Sequence, residues 1–162
     1  GGSILFYEHM SKVVAIKKII GVDIYIPKDL EKRIYKKVDK KRVTLIRGLT
    51  TEKKVVDQIK KLTKKYKNFL IHLDSDHTAK NVLNELNVYS KFINKNNYII
   101  VGDTIVNRIP SQKQWKRNWN KNDNPERALK SFLKENKNFT IDKKINYKQM
   151  LTHNPGGYII KK

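Results

Sequence analysis

The sequence lacks cysteine and long apolar runs, and it has few acidic residues. With no Cys among 162 residues, disulfides, thiolate nucleophiles, zinc fingers and iron–sulfur clusters are excluded, so any metal must be bound by oxygen or imidazole. The longest apolar runs, at residues 69–73 and 97–101, are far shorter than the roughly 20 residues of a membrane span. The first residues also lack a secretory signal pattern. We therefore expect a cytoplasmic protein without a membrane span.

Basic residues greatly outnumber acidic ones. There are 36 Lys or Arg against 15 Asp or Glu, which gives a net charge of +21. Such a charge favours phosphate contacts and keeps nucleic-acid binding open as a function. However, 30 of these cations are Lys and 6 are Arg, and Asn (16) and Ile (19) are also abundant, as A/T-rich codons would produce. Because base and phosphate recognition favour Arg, a solvated lysine surface is the preferred interpretation.

The first hundred residues alternate between two hydrophobic periods. Short β-branched or aromatic runs at 19–24, 43–46, 69–73 and 98–101 predict strands, and stretches of helical period lie between them. A further helix is predicted over 4–14. Strand–helix–strand units at this spacing predict an α/β fold with a Rossmann-like, doubly wound and mostly parallel sheet. We expect one domain over 1–162. Because Gly1-Gly2-Ser3 directly precedes a helix, we also expect that the first strand of such a sheet is missing from this chain.

The last sixty residues do not continue the alternation of strand and helix patterns. A polar loop is predicted over 107–125, a helix over 126–136, and two strands at 139–141 and 158–160 that close the sheet around a turn at 154–157. Trp115 and Trp119 lie in the polar loop among basic residues. They form either an aromatic platform for single-stranded nucleic acid or a lid that packs over a pocket or onto the sheet, and the second interpretation is favoured.

Aspartates follow three of the predicted strands. Ligands of open parallel sheets bind beyond the carboxyl ends of the strands, and Asp23, Asp74 and Asp103 occupy such positions. Asp23 lies 21 residues after Gly2, a spacing at which an acid typically binds ribose hydroxyls. This indicates an adenosine-type cofactor. The alternative is an aspartate that caps a turn or a helix.

The segment from Asp74 to Thr78 combines carboxylates with an imidazole. Asp74 and Asp103 follow neighbouring strands, so they could converge on one hard cation such as Mg²⁺, Ca²⁺ or Mn²⁺. His77 could then act as a base close to that metal. The alternative is that Ser75 or Asp76 caps the next helix while His77 is solvated.

Three segments together resemble one known family. They are HLDSDHTAKNVLNELNVYSKFINKNNYIIVGDT at 72–104, NPERALKSFL at 124–133 and THNPGGYII at 152–160. They resemble the cephalosporin hydroxylase family, whose members are similar to class I S-adenosylmethionine-dependent methyltransferases. Related enzymes include rhamnosyl O-methyltransferases and metal-dependent macrolide-sugar O-methyltransferases. The resemblance runs from Gly1 to about Ile160.

The resemblance implies roles for individual residues. Gly1, Gly2 and Ser3 match the end of the cofactor loop, Asp23 matches the ribose-binding acid, and Gly48 matches a glycine near the adenine. Asp74 and Asp103 match metal ligands, with Asp74 also placed among the cofactor-binding residues and Asp76 as a candidate to complete the metal shell. His77 matches the catalytic base. Gly102 stands where the family usually has Glu, which removes one carboxylate ligand.

The resulting hypothesis is an O-methyltransferase that depends on S-adenosylmethionine and a divalent metal such as Mg²⁺. Its partner would be a saccharide or another small-molecule acceptor, and self-association is left open. A metal-bound hydroxyl would be deprotonated by His77 and would attack the methyl group in line. The alternatives are a nucleotide-cofactor oxidoreductase, disfavoured because no Gly-x-Gly-x-x-Gly is present, and a non-catalytic basic nucleic-acid-binding module.

Overall fold

The computed structural model describes residues 2–109 and 117–162. It divides into two units, Gly1–Lys65 and Tyr66–Lys162, and each unit is described by itself. Within the described residues, no helix combines the length and the apolar character that crossing a lipid bilayer requires.

A parallel strand pair forms the centre of the first unit. Strand β1 (Ile19–Asp23) and strand β2 (Val43–Arg47) pair in register, so that Asp23 lies opposite Arg47. Helix α2 (Lys28–Tyr35) connects them and turns its buried Ile34 inward. Because the strands are parallel, the segments that follow β1 and β2 emerge at the same edge.

Two further helices complete this unit, α1 (Gly2–Met10) before β1 and α3 (Lys53–Thr63) after β2. Helix α1 lies on β1 at Gly21, where a Cβ would come within 2.5 Å of Cδ1 of Ile4. Near the other end of α1, Glu8 pairs with Arg42, just before β2, at 2.9 Å. Helix α1 therefore runs antiparallel to β1, and its first residues lie toward the edge at which β1 and β2 end.

The second unit is built on a four-stranded sheet. Its strands are β3 (Leu70–Leu73), β4 (Tyr98–Val101), β5 (Phe139–Ile141) and β6 (Tyr158–Lys161). Their order is β3-β4-β6-β5, with β3 parallel to β4 and β6 antiparallel to both of its neighbours. The carboxyl ends of β3 and β4 thus lie side by side.

The second unit also contains helices α4 (Ala79–Tyr89), α5 (Pro125–Glu135) and α6 (Lys143–Lys148). Thr78 caps α4 through Oγ1, which accepts from the amide of Asn81, and Asn124 caps α5 by accepting from the amide of Arg127. Helix α4 packs against α5, and fully buried Leu86 and Phe132 belong to the core. Short 3₁₀ turns follow α4 at Ser90–Phe92 and β4 at Thr104–Asn107.

The α/β class is confirmed, with parallel strand pairs joined through helices as in Rossmann-like folds. All six predicted strands are present within one residue at each end. The first helix ends at Met10 rather than at 14, because residues 11–14 form a turn. Helix α6 was not predicted. It is only six residues long and begins because Asp142 accepts hydrogen bonds from the amides of Lys144 and Ile145. The single domain over 1–162 stays a prediction.

Candidate active site

Asp74, His77 and Asp103 meet at the carboxyl ends of β3 and β4. Asp74 directly follows β3, and Asp103 follows β4 after Gly102. Because these strands are parallel neighbours, the two aspartates emerge together, and the loop after Asp74 returns His77 to the same point. One ligand atom from each of the three side chains lies within 4.8 Å of the others. The structure therefore brings together the three residues that the sequence assigned to metal and base.

The electrostatics of this cluster depend on His77. Its Nε2 lies 3.0 Å from Oδ2 of Asp103 and 3.6 Å from Oδ1 of Asp74. The interaction with Asp103, and then that with Asp74, raises the pKa of His77 from 6.5 to about 9, although burial opposes this shift. In return, His77 lowers the pKa of Asp103. The side chain of His77 is only 17% exposed, so it is not the solvated histidine of the alternative interpretation.

Asp103 has an unusual backbone conformation that a distant motif supports. Its φ of 49° and ψ of 33° are left-handed, which an aspartate tolerates better than most residues. Its amide donates to Oδ1 of Asn154 at 2.8 Å, and Oγ1 of Thr104 donates to the carbonyl of Pro155 at 3.0 Å. The Asn-Pro-Gly-Gly segment, predicted as a turn and as part of a family-like segment, therefore holds the loop that carries Asp103.

Gly102 is tightly enclosed between the two strand ends. A Cβ at this position would lie 2.7 Å from the carbonyl oxygen of Leu73 and 3.4 Å from Oδ1 of Asp74. The amide of Gly102 also donates to that same Leu73 carbonyl at 2.8 Å. The absence of a side chain at 102 thus allows β3 and β4 to close upon each other at the site.

Asp76 lies outside the cluster. Its Oδ1 accepts from the amide of Thr78 at 3.0 Å and from Nδ2 of Asn118 at 3.2 Å. An aspartate that accepts from the backbone two residues ahead stabilises a turn. The cap of α4 is Thr78, not Ser75 or Asp76 as the alternative interpretation had it. The structure does not bring Asp76 together with Asp74 and Asp103 as a third oxygen ligand.

Trp119 lies beside the cluster. Its ring centroid is 5.7 Å from that of His77, with the planes inclined by 59°, and the guanidinium of Arg117 stands 4.4 Å from the indole centroid. The segment is tied to the loop by Asn118 and by Asp123, whose Oδ1 accepts from the amide of Ala79 at 2.6 Å. Trp119 therefore forms one side of the site. Trp115 lies outside the described residues.

Four of the residues predicted to bind the cofactor, Gly2, Ser3, Asp23 and Gly48, lie at the carboxyl edge of the first unit, whereas Asp74 belongs to the second unit. The amide of Gly48, after β2, donates to the carbonyl of Asp23 at 3.0 Å. The side chain of Asp23 is exposed. Its Oδ1 accepts from the amide of Tyr25 at 3.0 Å, so it also stabilises its own turn. Gly2 and Ser3 open α1 toward this edge. Gly1 lies outside the described residues.

Comparison with known proteins identifies the lineage of this chain. The sequence model of the rhamnosyl O-methyltransferase/CmcI family matches residues 1–162. The chain belongs to this family. The match includes the strand ends that carry Asp74 and Asp103, as well as the segment that contains Asn154.

Two individual proteins illustrate the similarity. The rhamnosyl O-methyltransferase of Mycobacterium leprae (strain TN) is 32% identical over 113 residues, which are 68% of this chain and 47% of the relative. The chain thus spans about half the length of that family member. The methyltransferase MycE of mycinamycin biosynthesis, solved with Mg and SAH, aligns with 57% of this chain and 21% of its own, with a TM-score of 0.40 and 16% identity.

Proposed function

We propose that this chain carries out methyl transfer from S-adenosylmethionine to a hydroxyl group of a sugar, with a divalent cation at Asp74 and Asp103. The observation that supports this most is the convergence of two carboxylates and one imidazole in a member of an O-methyltransferase family. Neither alternative function has a specific observation in its favour. The sugar acceptor is suggested by the name of the Mycobacterium leprae relative.

The donor set suits a hard cation. Carboxylate oxygens of Asp74 and Asp103 are ligands that Mg²⁺ and Mn²⁺ prefer. Nε2 of His77 is buried and makes no hydrogen bond of good geometry with the described residues, although it faces both carboxylates. A buried polar atom beside two acidic groups fits a site that is completed by a bound group. Asp76 is not required in this proposal.

A divalent cation held here would supply positive charge that stabilises the alkoxide form of the acceptor hydroxyl. His77 would accept the hydroxyl proton at Nε2, which faces the space between the two carboxylates. Without the cation, these carboxylates favour the protonated imidazole. Asp103 would keep the ring in place, and Trp119 would shield that side of the site from water.

S-adenosylmethionine is assigned to the carboxyl edge of the first unit. Asp23 would accept hydrogen bonds from the ribose hydroxyls, and Gly48 would leave room for the adenine beside it. Gly2 and Ser3 would contact the remainder of the cofactor. Transfer of the methyl group from the sulfonium then depends mainly on positioning.

Calorimetry and turnover test this function. We expect the chain to bind S-adenosylhomocysteine more tightly than NAD, and Asp23→Ala to weaken that binding by about 1.5–3 kcal/mol because a charged acceptor is lost. With methyl rhamnoside as acceptor and Mg²⁺ present, His77→Gln should lower kcat about 10²–10⁴-fold without changing cofactor affinity. His9→Gln is the control. Tighter binding of NAD, or binding of DNA without any cofactor, would favour one of the alternatives.

A further inference from the structure

A buried glutamate lies beneath the loop that carries Asp74 and His77. Glu85 is in the middle of α4 and is only 1% exposed, although it is an ionisable side chain. Its Oε1 accepts a hydrogen bond of 2.6 Å from Oγ of Ser75. Ser75 lies between Asp74 and Asp76, so this bond joins the interior of α4 to the centre of the loop.

A second side chain of α4 supports the same loop. Nδ2 of Asn81 donates to Oγ of Ser75 at 3.0 Å and to the carbonyl oxygen of Asp76 at 3.0 Å. Ser75 therefore donates to Glu85 while it accepts from Asn81, and its hydroxyl is oriented by both. Linked polar side chains of this kind strengthen one another and favour a single arrangement.

Burial of the Glu85 carboxyl group costs free energy unless hydrogen bonds replace its lost hydration. A carboxyl group inside a protein loses its hydration and requires hydrogen bonds in return. At this position an apolar side chain would be buried without that cost. Glu85 instead forms a hydrogen bond with Ser75, in the loop between Asp74 and His77. Residues behind a metal site commonly orient its ligands through hydrogen bonds of this kind.

We propose that Glu85 is a positioning residue that fixes Asp74 and His77, through Ser75, in the arrangement that binds the cation. This inference rests on the proposed function, in which Asp74 of this loop binds a divalent cation. Glu85 acts on the loop through its hydrogen bond to Ser75. Its effect is transmitted by the backbone of residues 74–77.

Two measurements test the proposal on this chain. The first is Mn²⁺ affinity by calorimetry, and the second is hydrogen–deuterium exchange of the peptide that covers residues 74–80. Glu85→Leu and Ser75→Ala should each weaken Mn²⁺ binding about 10–100-fold, the range found for outer-shell partners, and should accelerate exchange in that peptide. The double variant should be no weaker than Ser75→Ala alone, because Ser75→Ala already removes the hydrogen bond to Glu85. Glu85→Gln keeps an acceptor oxygen and should retain most of the affinity.

Val82→Ala is the matched control, since Val82 is also buried in α4 and has an apolar side chain. Val82→Ala should lower the Tm and leave Mn²⁺ affinity unchanged. Hydrogen–deuterium exchange of residues 74–80 should rise no more than exchange in the rest of the chain. If Glu85→Leu and Ser75→Ala behave like Val82→Ala in both measurements, the proposal is wrong and Glu85 is purely structural. If the wild-type chain binds no Mn²⁺, the proposed function fails. Unchanged exchange in Glu85→Leu would then separately refute the positioning role.

Discussion

Asn154 holds Asp103 by its backbone, because Oδ1 of Asn154 accepts a 2.8 Å hydrogen bond from the amide of Asp103 across 51 residues of sequence. The contact joins the loop after β4 to the segment that precedes β6. It stabilises Asp103 in a left-handed conformation, which costs free energy for any residue with a Cβ. The direction of the Asp103 carboxylate, one of the three groups of the cluster, thus depends on a side chain from the other end of the unit.

Replacement of Asn154 should therefore affect both stability and metal binding. Asn154→Ala leaves the amide of Asp103 without its acceptor, which should lower the free energy of unfolding by about 1–3 kcal/mol and weaken Mn²⁺ binding. Urea denaturation and calorimetry measure the two effects. Asn136→Ala is the control, because the side chain of Asn136 donates at the end of its own helix, to the carbonyl of Phe132 at 2.9 Å. Equal Mn²⁺ affinities in the two variants would contradict the prediction.

A side chain at position 102 should disturb the site rather than complete it. Gly102→Ala places a Cβ 2.7 Å from the carbonyl oxygen of Leu73, so the ends of β3 and β4 must move apart. We expect Gly102→Ala to have a lower Tm and weaker Mn²⁺ binding than the wild type. Gly102→Glu should show the same losses, because its Cβ meets the same carbonyl oxygen. Gly2→Ala is the control, since a Cβ there meets nothing within 4 Å. Tighter Mn²⁺ binding by Gly102→Glu than by the wild type would show that the strand ends adapt and that the new carboxylate acts as a ligand.

The metal-free protein should retain a charged His77 well above neutral pH. The pKa of His77 is raised to about 9, mainly by Asp103, whereas an unfolded chain has a value of about 6.5. Because the folded pKa is the higher one, this interaction stabilises the protein fully below pH 6.5 and is lost as the pH rises through about 9.

NMR titration in EDTA can check this directly. The imidazole signal that disappears in His77→Gln should titrate near pH 9 in the wild type and closer to 6.5 in Asp103→Asn. The stability difference between the wild type and Asp103→Asn should shrink over the same interval. A His77 signal that titrates near 6.5 in the wild type would mean that the two carboxylates do not interact with it in solution.

Trp119 should contribute to acceptor binding if the sugar occupies the space beside His77. The 5.7 Å between the ring centroids of Trp119 and His77 places a large amphipathic surface next to the proposed base. Trp119→Ala should raise the KM for methyl rhamnoside up to about tenfold, as expected for the loss of an aromatic contact worth about 0.5–1.5 kcal/mol, while Trp119→Phe should have a smaller effect.

Cofactor affinity is the internal control for this variant. S-adenosylhomocysteine binding, measured by calorimetry, should be the same in the wild type and Trp119→Ala. A loss of kcat with unchanged KM would instead assign Trp119 to the orientation of His77.

Much of the architecture follows from local sequence patterns. The β-branched run at 98–101 has the bounds of β4, and the apolar period of Val82, Leu86 and Tyr89 identifies the buried face of α4. These features can be predicted from the sequence because the hydrophobic pattern of a helix, or of a strand buried on both faces, is visible within a few residues. The convergence of Asp74 and Asp103 was also predictable, since both aspartates end neighbouring parallel strands.

The tertiary structure alone decided which residues support these side chains. From the sequence, Glu85 has no assigned role, Asn154 is part of a turn, and Asp76 is a candidate to complete the metal shell. Their actual partners, Ser75, the amide of Asp103 and the amide of Thr78, depend on side-chain directions and on contacts up to 51 residues apart in sequence. Residue type and spacing determine where a carboxylate is available, but only packing determines whether it faces the site, the loop beneath it or its own backbone.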